Sequence, residues 1–416
     1  MAAAVDPGDS RSGAGDVRIV IRLAPSFVYV YYFLAALAAW VGLKSLINGV
    51  RFAAYVRRET SRALADHCPF VSVIAPTRGV EDGFAENVRP LMAQDYPAYE
   101  VLFVFDDPGD PALKIVKEFG GRIVISGQAN GTGQKVHNLI AAVKEIDEHC
   151  EVIVFVDTDA RPGKDWLRKL VAPLSDERLG ASSGYRWFIP ERGGLASRLR
   201  SVWNASIASA LGEDTQKNFC WGGSTAIRRE TFARLNVVER WAGTVSDDFT
   251  ITRVLKEAKL PIHFTPNCLV PSVGDCGFRE LLEFTTRQVQ ITRVYASHLW
   301  LPLMLGSGLF CTVFFGGIAL WFSTRSSPVL VVLAVLFLLG AAKSVIRWRA
   351  VTGALAEHRS KLNRDLWAHV VLWPFASLLY FYNTLVAAFS RRIRWRGITY
   401  ELKSPSEAVI IKREPA

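Results

Sequence analysis

The sequence predicts an α/β domain built on a parallel sheet, with transmembrane helices at both its N-terminal and C-terminal ends. Three observations predict it. Short apolar runs alternate with amphipathic helical stretches from Cys68 to about His298, the pattern of a parallel sheet covered on both faces. Apolar runs of bilayer length flank that region. Paired aspartates stand where two of the apolar strands end, and sheets of this kind bind ligands outside the carboxyl ends of their strands.

Composition narrows the partners. The chain has 416 residues, is 50% hydrophobic and carries a net charge of +10. That charge suits nucleic acid, anionic lipid or anionic substrates. The basic residues are dispersed and gather beside the apolar runs, with no helix-turn-helix and no aromatic RNA-binding signature, so nucleic acid is not expected. The 6 cysteines are scattered without a C-x-x-C pair, which argues against a metal cluster or a disulfide framework and for a reducing, cytosolic setting.

In chain order, residues 1–24 are rich in Ala, Gly, Asp and Ser and are expected to be a disordered tail. Residues 25–50 form the first expected transmembrane helix, since Phe27 to Leu43 has no charged residue. Arg51, Arg57, Arg58 and Arg62 follow it, so the positive-inside rule places the domain at 51–298 in the cytoplasm. Inside the domain, "FVSVIAPTRG", "YEVLFVFDD", "GRIVISG" and "EVIVFVDTD" are the expected strands. Leu113 to Phe119, "GQKVHNLIAAVKEI" and "KDWLRKLVAPL" are the helices between and after them. Residues 299–322 and 328–342 are two further spans, 343–365 a basic cytoplasmic loop, and 390–416 a basic cytoplasmic tail. Residues 366–389, interrupted by Pro374 and Asn383, either span the membrane or enter and leave on one face.

The chemistry concentrates in a few carboxylates. Strand residues two apart share a face, so Asp157 and Asp159 converge as their strand leaves the core. Two converging carboxylates call for a cation between them, and Mg2+ or Mn2+ with a substrate phosphate suits two oxygen ligands. The alternative is a turn capping the next helix. Asp247 and Asp248 open an amphipathic helix, where Ser246 or Asp247 serves as a helix cap. A long helical stretch with Arg279, Arg287, Gln288, Gln290 and Arg293 then runs into the membrane.

Taken together and in this order, the motifs resemble the family 2-type inverting glycosyltransferases of the GT-A fold, a Rossmann-like fold for nucleoside-diphosphate sugars. They look most like the ceramide glucosyltransferase group and its bacterial relatives. "PTRGVED", Pro76 to Asp82, is similar to the first nucleotide-contacting turn and implies roles for Pro76 and Arg78. "AQDYPAYEVLFVFDDPGDPA" implies that Asp107, with Asp106 beside it, faces the uracil and ribose. "GQKVHNL" implies that Lys135 and Asn138 hold the nucleotide sugar, and "DTDA" that Asp157 and Asp159 hold the metal. "CWGGSTAIRRETF" resembles the acceptor-side segment, giving Trp221, Gly222 and Gly223, and "SDDF" sets Asp248 as general base with Asp247 beside it. The (Q/R)-x-x-R-W motif departs, and "RQVQITRVY" allows two registers: the ungapped Arg287-x-x-Gln290-Ile291 lacks both the Arg and the Trp, while Gln290-x-x-Arg293-Val294 lacks only the Trp, so Arg293 is the expected grip on the leaving diphosphate, with Gln290 on the acceptor side.

The resemblance implies transfer of a hexose, by default glucose, from a UDP-sugar to a hydroxyl of a membrane lipid such as a ceramide-like sphingolipid. A domain tethered to the bilayer at both ends is placed to meet such an acceptor. Trp187, Phe188, Trp203 and Trp221 are candidates for lining its path, with core packing as the alternative for each. The competing readings are a processive polysaccharide synthase and a degenerate, inactive relative.

Overall fold

The computed structural model describes residues 25–81 and 83–414, so the expected tail at 1–24 and Asp82 lie outside the described residues. The central sheet contains β1 (Val71–Pro76), β2 (Tyr99–Phe105), β3 (Arg122–Ile125), β4 (Val152–Val156), β5 (Ala181–Ile189), β6 (Ser224–Arg228) and β7 (Ile262–Val273). Its order is β3-β2-β1-β4-β6-β5-β7. The first four strands are parallel, as the sequence predicts. β6 runs antiparallel to both its neighbours, which makes the sheet mixed.

Alternation explains why both faces are covered. Val71, Val73, Phe103, Phe105, Val152 and Val154 pack into one core, while Ile74, Val104, Ile153 and Phe155 pack into the other. Neighbouring strand residues point to opposite faces, so a run with no polar member can only be buried twice. The carboxyl ends of β1, β2 and β4 therefore open on one edge of the sheet, where the polar residues resume.

Among the described residues, three helices are long and apolar enough to cross a membrane, within Pro25–Thr60, Ser297–Thr324 and Ser327–Ala354. The first continues past the expected span, and Phe52, Tyr55 and Val56 at its far end enter the domain core. There Tyr55 donates its hydroxyl proton to the Phe264 carbonyl at 2.6 Å. The expected basic loop at 343–365 is instead mostly helix, because Ser327–Ala354 runs on through Lys343 and Arg347 and Arg359–Val371 follows. Val351, Leu355 and Leu362 of this stretch pack into the domain core, which compensates for the chain order a loop would not need. Residues 366–389 are divided between Arg359–Val371 and Trp373–Phe389, which meet at 69°. Pro374 stands at the start of the second helix, where its missing N–H costs nothing.

The expected basic tail at 390–416 contains regular structure. It folds into an antiparallel sheet of β8 (Arg392–Trp395), β9 (Ile398–Ser404) and β10 (Glu407–Arg413). Ile393, Ile398, Tyr400, Leu402 and Ala408 pack against Val245 and Ile291 of the domain. Alternating apolar residues in "RIRW", "ITYELKS" and "EAVIIKR" supply that face.

Candidate active site

At the carboxyl end of β4, Asp157 and Asp159 share one guanidinium. Arg186, from β5, lies 3.0 Å from Asp157 Oδ2 and 3.2 Å from Asp159 Oδ2. Lys135, in the first turn of the Gln134–Val143 helix, sits 2.8 Å from Asp157 Oδ1 and 3.2 Å from Asp247 Oδ1. Asp247 and Asp248 begin the Asp247–Glu257 helix, whose cap is Ser246 accepting from the Phe249 N–H. The sequence thus brings four acids and two cations to one place from four separate elements.

Burial sets the protonation pattern of this cluster. It pushes Asp157 upward, but Lys135 and Arg186 outweigh it and hold the carboxyl below its ordinary range. Burial also opposes the charge on Lys135, yet Asp157, Asp247 and Asp248 overcome it and raise the ammonium. For Asp247 burial prevails over Lys135, and with Asp248 and Asp157 adding repulsion its carboxyl is pushed up to about 7. Its Oδ2 is buried with no hydrogen-bond partner. Asp248 is more open: Oδ1 accepts from Ser246 Oγ and from the Phe249 N–H, while Oδ2 faces the Gly222 N–H at 3.4 Å.

Gly222 and Gly223 have a steric explanation. A Cβ on Gly222 would collide with Asp247 Oδ2 and Lys135 Nζ, and one on Gly223 with the Trp221 ring. These glycines let the chain pass directly against the charged cluster.

At the end of β2 the two expected aspartates are placed differently. Asp107 is exposed and accepts from the Gly109 N–H at 2.8 Å, closing a local turn. Asp106 is buried, with Arg78 at 3.5 Å and Arg413 at 3.4 Å from Oδ2, and Oδ1 has no hydrogen-bond partner. Adjacent residues leaving a strand point to opposite sides, so one of the pair is buried against Arg78 and the other is left at the surface. Asn138 is buried beside this end and donates to the Val104 carbonyl at 3.2 Å. Pro76 and Arg78 line the cleft.

The expected arginine is corrected. Arg293 lies outside the cleft lining; it donates to the Ala387 carbonyl and stacks over Trp300 at 5.3 Å. Gln290 is also turned away, with Nε2 donating to the Ser390 carbonyl at 3.3 Å. Among the arginines of this helix it is Arg287 that lines the cleft, with its guanidinium 5.5 Å from the Trp395 ring and its buried Nε without a hydrogen-bond partner among the described residues. Burial, then Arg396 and Arg186, lower it to about 10. Arg200, also in the lining, has its Nε buried without a partner.

Trp395, Arg396, Ile398 and Tyr400 of the C-terminal sheet form another wall, and Tyr400 Oη accepts the Gln134 N–H at 3.1 Å. Sequence reasoning missed this wall, although Arg391-Arg392-Ile393-Arg394-Trp395 carries the R-x-x-R-W pattern missing from the long helix. It also missed Arg186, whose partners come from a different strand. Of the candidate aromatics, Phe188, Trp203 and Trp221 line the cleft, while Trp187 is a buried core residue.

One cavity of about 2130 Å³ joins these groups. Its lining includes Asp157, Asp159, Asp247, Asp248, Lys135 and Arg287, and also Leu299, Leu303, Gly306, Phe310 and Tyr380. The second group belongs to the helices Ser297–Thr324 and Trp373–Phe389. The arrangement can hold a polar, anionic molecule against an apolar one, with a carboxylate between them.

Comparison with known proteins agrees with this class of site. The profile of glycosyl transferase family 21 matches residues 29–408, and the chain belongs to that family. It is a glycosyltransferase, as the resemblance implies. Ceramide glucosyltransferase 3 of Caenorhabditis elegans is 18% identical over 346 residues, covering 80% of this chain and 73% of the relative. Ceramide glucosyltransferase 1 of the same organism is 28% identical over 83 residues, 18% of each chain. Among solved structures, a mannosyltransferase from Pyrobaculum calidifontis in complex with GDP-Man and Mn2+ is 19% identical, covering 85% of this chain and 98% of its own, with a TM-score of 0.45. Glucosyl-3-phosphoglycerate synthase from Mycobacterium tuberculosis is 16% identical, covering 57% and 81%, with a TM-score of 0.36.

Proposed function

We propose that this chain is an inverting glycosyltransferase that moves a hexose, by default glucose, from a UDP-sugar to a hydroxyl of a membrane lipid of the ceramide type. The observation that carries the reading is the single cavity in which the carboxylate cluster and the apolar residues of the membrane helices face each other. The ceramide glucosyltransferases among its relatives support a lipid acceptor.

In this reading the donor lies across the carboxyl ends of β1, β2 and β4. Arg78 and Asp106, with its free Oδ1, hold the nucleoside, and Lys135 and Asn138 border the sugar. Asp157 and Asp159 already converge on one guanidinium, and no three His, Cys, Asp or Glu residues cluster as a metal site among the described residues. Two carboxylates with a diphosphate fit Mg2+ or Mn2+, which when bound supplies Lewis-acid stabilisation of the leaving group. Arg287 offers fixed positive charge where the departing diphosphate gathers negative charge. Asp248 takes the proton from the acceptor hydroxyl as its oxygen attacks the anomeric carbon opposite the diphosphate. One displacement inverts the centre, and no second nucleophile is needed. Asp247 holds Lys135 rather than the substrate.

Arg57 and Arg58 at the end of the first helix support a cytoplasmic catalytic domain. The residues before and after the bent pair, Val351 and Tyr400, both pack on the catalytic domain. That supports entry and exit of Arg359–Phe389 on one membrane face rather than a crossing.

The test is a donor screen in nanodiscs with membrane lipid extract, following nucleoside diphosphate release with Mg2+, Mn2+ or chelator. The expected result is release that requires lipid and falls by about 10² to 10⁴ in D248N, while D248N still binds UDP. Release that proceeds equally without lipid, or in D248N, overturns the reading.

A further inference from the structure

A second cavity, of about 220 Å³, lies among the membrane helices and is lined by Ser45, Leu339, Lys343, Arg347 and Trp373. Lys343 and Arg347 are four residues apart on the Ser327–Ala354 helix, so both face it from neighbouring turns. Arg347 is 3% exposed, and its Nε has no hydrogen-bond partner. Among the described residues, the side-chain partners of the two cations are hydroxyls: Lys343 Nζ donates to Ser45 Oγ at 2.7 Å, and Arg347 Nη1 to Ser209 Oγ at 3.4 Å.

This arrangement is costly as it stands. Two like charges on adjacent turns repel, and a buried cation without an anionic partner loses its hydration without compensation. An arginine near the end of a membrane helix ordinarily extends its head to water, whereas Arg347 turns inward. Packing holds the pair in place: a Cβ on Gly49 would stand 3.0 Å from Lys343 Cγ, so the first helix closes directly over the lysine. The other walls, including Val41, Leu336 and Leu339, are apolar.

We infer that Lys343 and Arg347 bind a phosphate-bearing anion, supplied by the headgroup of an anionic phospholipid in the leaflet that faces the catalytic domain. The two cations answer the phosphate, and the apolar walls answer the chains attached to it. The site is separate from the carboxylate cluster, but its lining shares Ser206, Gly306, Phe310, Ser377 and Tyr380 with the large cavity. A lipid seated there forms part of the wall along which an apolar acceptor would travel. This inference does not depend on which sugar or acceptor the enzyme uses.

The experiment uses the full chain, delipidated in neutral detergent. Intrinsic fluorescence and native mass spectrometry follow titration with phosphatidylglycerol, with phosphatidylcholine and with inorganic phosphate. Phosphatidylglycerol is expected to bind at least about tenfold more tightly than phosphatidylcholine. K343Q/R347Q is expected to remove that preference, consistent with the strength of hydrogen bonds to charged groups. If the double variant does not fold, K343Q alone is read in the same way, with a smaller loss. Equal binding of the two lipids by the wild type, or an undiminished preference in the folded variant, overturns the inference. Inorganic phosphate binding as tightly as phosphatidylglycerol would overturn the lipid as the source and assign the site to a soluble anion.

Discussion

The two ends of the polar cleft treat charge differently. Around Asp157, three of the four acids share two cations: Lys135 bridges Asp157 and Asp247, and Arg186 bridges Asp157 and Asp159. Around Arg287, no carboxylate forms an ion pair with the guanidinium among the described residues, and it lies beside Phe284, Trp395 and the Arg394 carbonyl. A matched cluster fixes geometry before any substrate arrives. An unmatched buried cation waits for an anion, and its desolvation has already been met in folding. The difference teaches which side chains hold the site together and which are reserved for the substrate.

The matched end gives the largest expected effect. Asp247 is pushed up to about 7 by burial, so the folded protein holds a proton there that the unfolded chain releases near pH 4. A raised folded value means that this stabilisation is present below about pH 4 and is lost as pH rises through about 7. Thermal unfolding of the wild type minus that of D247N should therefore show a decline of several kcal/mol between pH 4 and pH 8. A difference that stays flat would break the view of Asp247 as a strained member of the cluster. At the unmatched end, R287Q should weaken UDP-sugar use by roughly 10- to 100-fold, about 1.5 to 3 kcal/mol, with R293Q near wild type. Equal losses in R287Q and R293Q would erase the contrast between the two ends. Smallest is W395A, which removes a ring beside Arg287 and should cost about 0.5 to 2 kcal/mol in nucleotide affinity. Calorimetry with UDP measures it, and no change would confine the C-terminal sheet to a packing role.

Local periodicity made part of this molecule legible. Apolar runs of strand length marked β1, β2 and β4, and the acids immediately after β2 and β4 marked the edge where the site lies, because alternation and strand ends are properties of consecutive residues. The apolar helices were legible for the same reason. Phase was harder. Asp106 and Asp107 differ by one position, and the turn after β2 decides which is buried. Arg287 and Arg293 are six residues apart and so point about 120° apart around one helix; which of them meets the cleft depends on how that helix lies on its neighbours.

By itself, then, the sequence determined the alternating α/β domain, its membrane helices and the carboxylates at the strand ends, since each depends on neighbours in the chain. The tertiary structure alone decided that Arg186 joins Asp157 to Asp159 and that Arg287 rather than Arg293 faces the cleft. It also decided that a tail read only as basic becomes a sheet with Trp395 and Tyr400 in the wall of the site. The physical reason is distance along the chain. Arg413 reaches Asp106 across |i−j| = 307, and no local pattern records a contact that only folding brings about.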